Sequence, residues 1–186
     1  DQCTDTPTNN FCTLSPLYNI EGSYTLSEGN LKFLGTGAND GTGSTMAVSS
    51  GRWYWEAEFD DEANTAIAGF STAEFMSVVG TGNALSTMVG MTYFGDSINW
   101  DTSGTSGTAS DGDIYGFYLD LEASSGSWTC KIYQNGSLFA TETLATAREG
   151  ENFMPIVSDA SASDSTIIAN FGNPPVAPSS AVADAN

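Results

Sequence analysis

The strongest signal along the chain is an alternation of apolar and polar positions with a period of two, the signature of strands with one buried and one wet face. Over 52–60, Trp53, Trp55, Ala57 and Phe59 alternate with Tyr54, Glu56, Glu58 and Asp60. Phe117, Leu119 and Leu121 alternate likewise with Tyr118, Asp120 and Glu122, and Trp128, Cys130 and Ile132 with Thr129, Lys131 and Tyr133. The apolar set of each strand is assigned to the core. Ala123 to Ser127 reads as a link between two strands, and Gln134-Asn135-Gly136-Ser137 carries the Asn-Gly pair that favours a type I′ hairpin. Further strands are expected at 30–34, 44–48, 65–70, 86–94, 153–157 and 166–171. So many short strands joined by turns imply an all-β fold, two antiparallel sheets packed as a sandwich. Helix is nearly absent from the pattern, at most a turn near 71–75 or 145–149.

Length changes this picture little, since 186 residues suit one core-forming domain. The expected division is a leader over 1–20, the sandwich over 21–173 and a linker or tail over 174–186, opened by Pro174-Pro175-Val176-Ala177-Pro178. Without an initiator Met or a signal-peptide pattern at Asp1, the chain reads as processed or as an excerpt of a longer protein. No run reaches the roughly 20 apolar residues of a membrane span, so no membrane insertion is expected.

Charge changes it more. The sequence holds 23 Asp and Glu against Lys32, Arg52, Lys131 and Arg148, a net charge of −19. Nucleic acid and acidic membrane surfaces are therefore excluded as partners, because both are held by clustered Lys and Arg. Solubility explains the acidity, and so does adaptation to salty surroundings that screen self-repulsion. Three cysteines make neither a disulfide framework nor a zinc site. Cys130 is read as core, and a Cys3–Cys12 bridge is left open.

Catalytic chemistry finds little support. With no His, Ser-His-Asp and Cys-His triads and His-bound zinc are excluded. Gly80-Thr81-Gly82 and the 104–107 stretch lack the Gly-Lys-Ser/Thr ending of a phosphate-binding loop. Calcium is the one ion the carboxylates suit, at Asp111 and Asp113, although the same Asp-Gly-Asp is better read as a turn into a strand. No cofactor is otherwise expected. The expected partner-binding group is on long loops with aromatic and polar side chains: Tyr93, Phe94, Asp96, Asn99, Trp100 and Asp101.

Six segments, in order, resemble the SPRY domain, a bent concanavalin-like β-sandwich. They are Gly51-Arg52-Trp53-Tyr54-Trp55-Glu56, Ile67-Ala68-Gly69-Phe70-Ser71, the 111–120 stretch around Asp113-Ile114-Tyr115-Gly116, Tyr133-Gln134-Asn135-Gly136, Phe153-Met154-Pro155-Ile156-Val157-Ser158, and Asn170-Phe171-Gly172. The stretch 5–17 is similar to the leader before SPRY-like modules in bacteriophage particle proteins. That likeness implies a non-catalytic binding or assembly module on the outside of a virion, for instance in a tail fibre that contacts the host surface. Its partners would be other virion subunits, commonly in homo-oligomers, or a host surface glycan or protein. The alternative is a structural or decoration protein that mediates subunit contacts. Concanavalin-like sandwiches also host glycosidases, which need two carboxylates about 5–9.5 Å apart. Glu56, Glu58 and Asp60 on one strand face have that spacing, and a solvated acidic face explains them better.

Overall fold

The computed structural model describes residues 11–19, 23–37, 40–60, 65–72, 89–94, 97–100, 106–144, 149–159 and 164–172. Fourteen strands are found among them: β1 (Leu14–Asn19), β2 (Tyr24–Ser27), β3 (Lys32–Gly35), β4 (Asp40–Ser44), β5 (Arg52–Phe59), β6 (Thr65–Thr72), β7 (Val89–Phe94), β8 (Ser97–Trp100), β9 (Ser106–Thr108), β10 (Ile114–Asp120), β11 (Thr129–Gln134), β12 (Ser137–Thr143), β13 (Phe153–Asp159) and β14 (Ser165–Asn170). They make two sheets of seven strands each. The first has the order β1-β4-β13-β6-β7-β8-β9 and the second β12-β11-β10-β5-β14-β3-β2. All pairings are antiparallel. No described residue is helical, so the fold is the expected all-β sandwich.

The alternation sets the inner face of the second sheet. Trp55, Ala57 and Phe59 of β5 stand beside Phe117, Tyr115 and Ile167 of the neighbouring strands, all at 2% exposure or less. Trp55 anchors the layer, stacked on Phe117 (centroids 4.9 Å) and Phe171 (5.4 Å) and meeting Phe70 of the other sheet edge-on. Cys130 and Ile132 extend the core across β11, as the pattern requires. The Asn-Gly hairpin also forms, with Asn135 at φ 48° and Gly136 at φ 78°, the left-handed pair of a type I′ turn.

Several boundaries differ from expectation. The strand placed at 44–48 is β4, four residues earlier in its start, and Val48 makes only an isolated bridge to Phe153. Asp40-Gly41-Thr42-Gly43-Ser44 has poor strand propensity, yet it is wholly buried and pairs with both β1 and β13. Tertiary packing overrides the local preference. β1 lies inside the stretch read as a leader and forms one edge of the first sheet. Ser71 and Thr72, placed in a helical turn, end β6, and Glu149 sits in a turn; 73–75 and 145–148 lie outside the described residues. Trp53, assigned to the core, is 45% exposed. It stands at the mouth of the sandwich, and its indole N–H donates to Ser50 O at 2.7 Å.

Candidate functional site

The expected binding group falls on the hairpin of β7 and β8 near one edge of the first sheet, where Asp96 and Asp101 lie outside the described residues. Backbone register separates the other four. Tyr93 pairs with Ala66, and Trp100 pairs with Met91 opposite Ala68, which places both on the face that carries the core residues of β6. Phe94 and Asn99 fall on the opposite face.

The carboxylate row of β5 is not uniformly solvated. Asp60 is exposed and Glu58 half-buried, but Glu56 is 6% exposed, accepting from Tyr54 Oη at 2.8 Å and Asn170 Nδ2 at 2.9 Å. Both of its oxygens are engaged, so it acts as a brace between β5 and β14. Tyr54 reaches it by lying over Gly116 on β10: a Cβ built there would stand 2.7 Å from Tyr54 Cζ and 2.8 Å from Cε2.

Asp113 is a brace of a second kind. One oxygen accepts from Ser110 N (3.0 Å), Gln134 Nε2 (2.9 Å) and Tyr115 Oη (3.3 Å), and the other from Asn135 Nδ2 (2.7 Å). Partial burial alone would raise its pKa, but the hydrogen bonds from Asn135, Gln134, Ser110 and Tyr115 outweigh this and hold the carboxyl below its ordinary value. Asn135 in turn accepts from Ile114 N at 3.0 Å. The Asp-Gly-Asp turn and the Asn-Gly hairpin are therefore one hydrogen-bonded corner, with Gly112 at φ 78° making the bend. Asp111 is exposed, and no group of three metal-ligating side chains occurs among the described residues. Cys12 is a free thiol, and Cys3 lies outside the described residues.

The outer face of the second sheet has a charge pattern that the bulk composition hides. By register, Arg52, Tyr54, Glu56 and Glu58 of β5 share this face with Asp120, Tyr118 and Gly116 of β10, Lys131 and Tyr133 of β11, Asn170 of β14 and Lys32 of β3. Three of the chain's four cations lie here with Glu56, Glu58, Asp60, Asp120 and Glu122, so the face carries only −2 and the rest of the molecule −17 of the net −19. Arg52 meets Asp120 at 3.1 Å and Glu122 at 3.7 Å, while the Lys131 ammonium lies 5.7 Å from the Tyr118 ring centroid. Leu138, 58% exposed, pairs with Tyr133 at the edge of this face.

At the mouth of the sandwich, a cavity of about 190 Å³ opens between the sheets. Trp53, Trp55 and Phe171 come from the second sheet and its continuation, Phe70 and Pro155 from the first, and Met46 and Val48 from the loop between β4 and β5. Trp53 and Met46, 45% and 39% exposed, form an apolar rim. Apolar side chains dominate the walls, which Phe11, Cys12 and Tyr54 also line; the indole N–H of Trp55, a residue 2% exposed, is buried without a hydrogen-bond partner. A buried donor left unsatisfied costs about 1–3 kcal/mol. The alternation pattern could not have located this cavity, because its walls come from segments distant in sequence.

This architecture defines a class: an antiparallel sandwich that carries its distinctive features on one sheet face and at one mouth. Comparison with solved structures narrows the class to the SPRY type. The chain is similar to the PSpry domain of TRIM65, with a TM-score of 0.61 and 14% identity over 86% of this chain and 89% of that one. It is also similar to stonustoxin, with a TM-score of 0.55 and 18% identity over 86% of this chain but only 27% of the toxin. No family model matches the sequence, and no curated protein does. The fold is SPRY-like, as the six segments implied. They occupy β5, β6, β10, the turn between β11 and β12, β13 and the end of β14, and so include the central strands of both sheets.

Proposed function

We propose that the chain is a non-catalytic binding and assembly module of a virus particle, of the kind that builds exposed bacteriophage fibres or decorations. It meets neighbouring subunits through the outer face of its second sheet. The charge placement carries this reading. Copies of a chain with net charge −19 repel one another wherever acidic surfaces face. The nearly neutral face, with cations and carboxylates interspersed among Tyr118, Tyr133 and Leu138, is where a second subunit approaches with the least of that penalty, and alternating charges fix its register. The particle context rests on the similarity of residues 5–17 to phage leaders. Contact with a host surface glycan or protein through the β7–β8 hairpin is the companion reading, supported by the hairpin's place near a sheet edge. Imaging of particles that contain the protein tests both. Burial of the Arg52, Lys131 and Leu138 face at a subunit contact is expected; that face on solvent, with the hairpin outermost, would leave attachment as the function instead.

A further inference from the structure

The β11–β12 hairpin turns on Asn135-Gly136, the one Asn-Gly pair in the sequence, and both residues are exposed to solvent. An asparagine before glycine is open to attack on its side-chain carbonyl by the next backbone nitrogen, because glycine has no side chain to shield that nitrogen. We infer that Asn135 is a site of covalent self-modification, deamidation to aspartate or isoaspartate, and that the Asp113 corner is the lock that holds it back. The reaction balances with water alone. Gly136 N loses its proton to solvent and bonds to Asn135 Cγ, the Cγ–Nδ2 bond breaks, and ammonia leaves behind a five-membered succinimide. Water then adds to one of the two imide carbonyls and opens the ring, giving aspartate by one cleavage and isoaspartate by the other.

The lock lies in the hydrogen bonds of the corner. Asn135 Nδ2 donates to Asp113 Oδ1 at 2.7 Å, its Oδ1 accepts from Ile114 N at 3.0 Å, and its backbone N–H donates to Ile114 O at 2.8 Å. Both ends of the amide and the backbone beneath it are tied to the start of β10, so Cγ swings onto Gly136 N only when these bonds open. One of them is charge-assisted, and Asp113 is itself fixed by Ser110 N, Gln134 Nε2 and Tyr115 Oη. The product cannot restore the lock. A carboxylate at position 135 has no hydrogen to offer Asp113, and it sets a second negative charge against a carboxyl already held below its ordinary pKa. Isoaspartate also lengthens the main chain by a carbon inside a tight turn. Conversion therefore runs one way and loosens the link between β10 and the hairpin. It requires nothing of the subunit contact proposed above.

Tryptic cleavage after Lys131 and Arg148 releases residues 132–148 as one peptide. In it, the mass gain of amide-to-acid conversion and the separate elution of the aspartate and isoaspartate forms report the reaction. The full chain is incubated at mildly alkaline pH, native or in urea. Native conversion is expected to be at least about tenfold slower than conversion in urea, since a hydrogen bond to a charged group must open first. Asp113→Ala removes the charged acceptor and is expected to raise the native rate about fivefold or more. Asp40→Asn controls for stability: Asp40, at the start of β4 in the first sheet, is 1% exposed and accepts from Ser23 N, Thr36 N and Gly37 N. Its replacement weakens the fold without touching Asn135, and the native rate is expected to stay at the wild-type value. The wild-type comparison stands whatever the stability of either variant. No conversion even in urea, a native rate equal to or above the rate in urea, an unchanged rate in Asp113→Ala, or equal acceleration in both variants overturns the inference.

Discussion

Gly116 lies under the ring of Tyr54, and adding one methyl group there tests how the second sheet is held. In Gly116→Ala the new Cβ would stand 2.7–2.8 Å from two ring carbons of Tyr54, closer than van der Waals contact allows, so the ring must leave. Its departure breaks the 2.8 Å hydrogen bond to Glu56 and leaves that buried carboxylate with Asn170. A hydrogen bond to a charged group contributes about 1.5–3 kcal/mol, and a loss of about 2 kcal/mol is expected in urea denaturation, as a lower midpoint with an unchanged slope. In a Tyr54→Ala background the obstacle is gone. The same Gly→Ala change should then be neutral or stabilising, since glycine within a strand costs roughly 0.5–1 kcal/mol relative to alanine. A full-sized loss in the Tyr54→Ala background, or no loss in the wild type, would refute the placement of Tyr54 over Gly116.

Asp113→Asn replaces an acceptor facing four donors with a group that is itself half donor, and about 1–2 kcal/mol of stability should be lost at pH 7. Because the folded-state pKa is depressed, the wild-type stabilisation is present above the ordinary Asp value near 3.9 and is lost as pH falls through the lower folded value. The gap between wild type and Asp113→Asn, measured by thermal melts, should therefore close below about pH 4. Melting temperature should rise with NaCl up to about 1 M, where the Debye length shrinks to roughly 3 Å, because screening relieves self-repulsion in a chain of net charge −19; a salt-independent midpoint would argue against this. The Cys130 thiol, fully buried and pushed upward in pKa by desolvation and then by Glu142, should resist iodoacetamide in the native state and react only in denaturant.

The fold was legible where one periodic face meets the core and a turn residue fixes the register. β5, β10 and β11 have clean alternation, and Asn135-Gly136 has a backbone preference that only one hairpin geometry satisfies. β4 was displaced because its glycine-rich sequence has no pattern of its own and becomes a strand only between two partners. Trp53 misled the alternation argument because register assigns a face and says nothing of whether the opposite sheet reaches that far. Glu56 misled it too, since a polar face reads as wet until Tyr54 and Asn170 are known to cover it. The sorting of charge was implicit in strand parity, with Arg52 and Lys131 each in the polar phase. Lys32 joins them only through the pairing of β3 with β14.

Sedimentation velocity tests the proposed subunit contact most directly, comparing the wild type with Lys131→Glu/Leu138→Glu, two changes on the outer face of the second sheet. The wild type is expected to sediment as an oligomer of the 19.4 kDa chain, increasingly so as salt screens long-range repulsion, and the variant as a monomer with an unchanged melting temperature. A wild type that remains monomeric at all concentrations and salts, or a variant that associates equally well, would contradict the account.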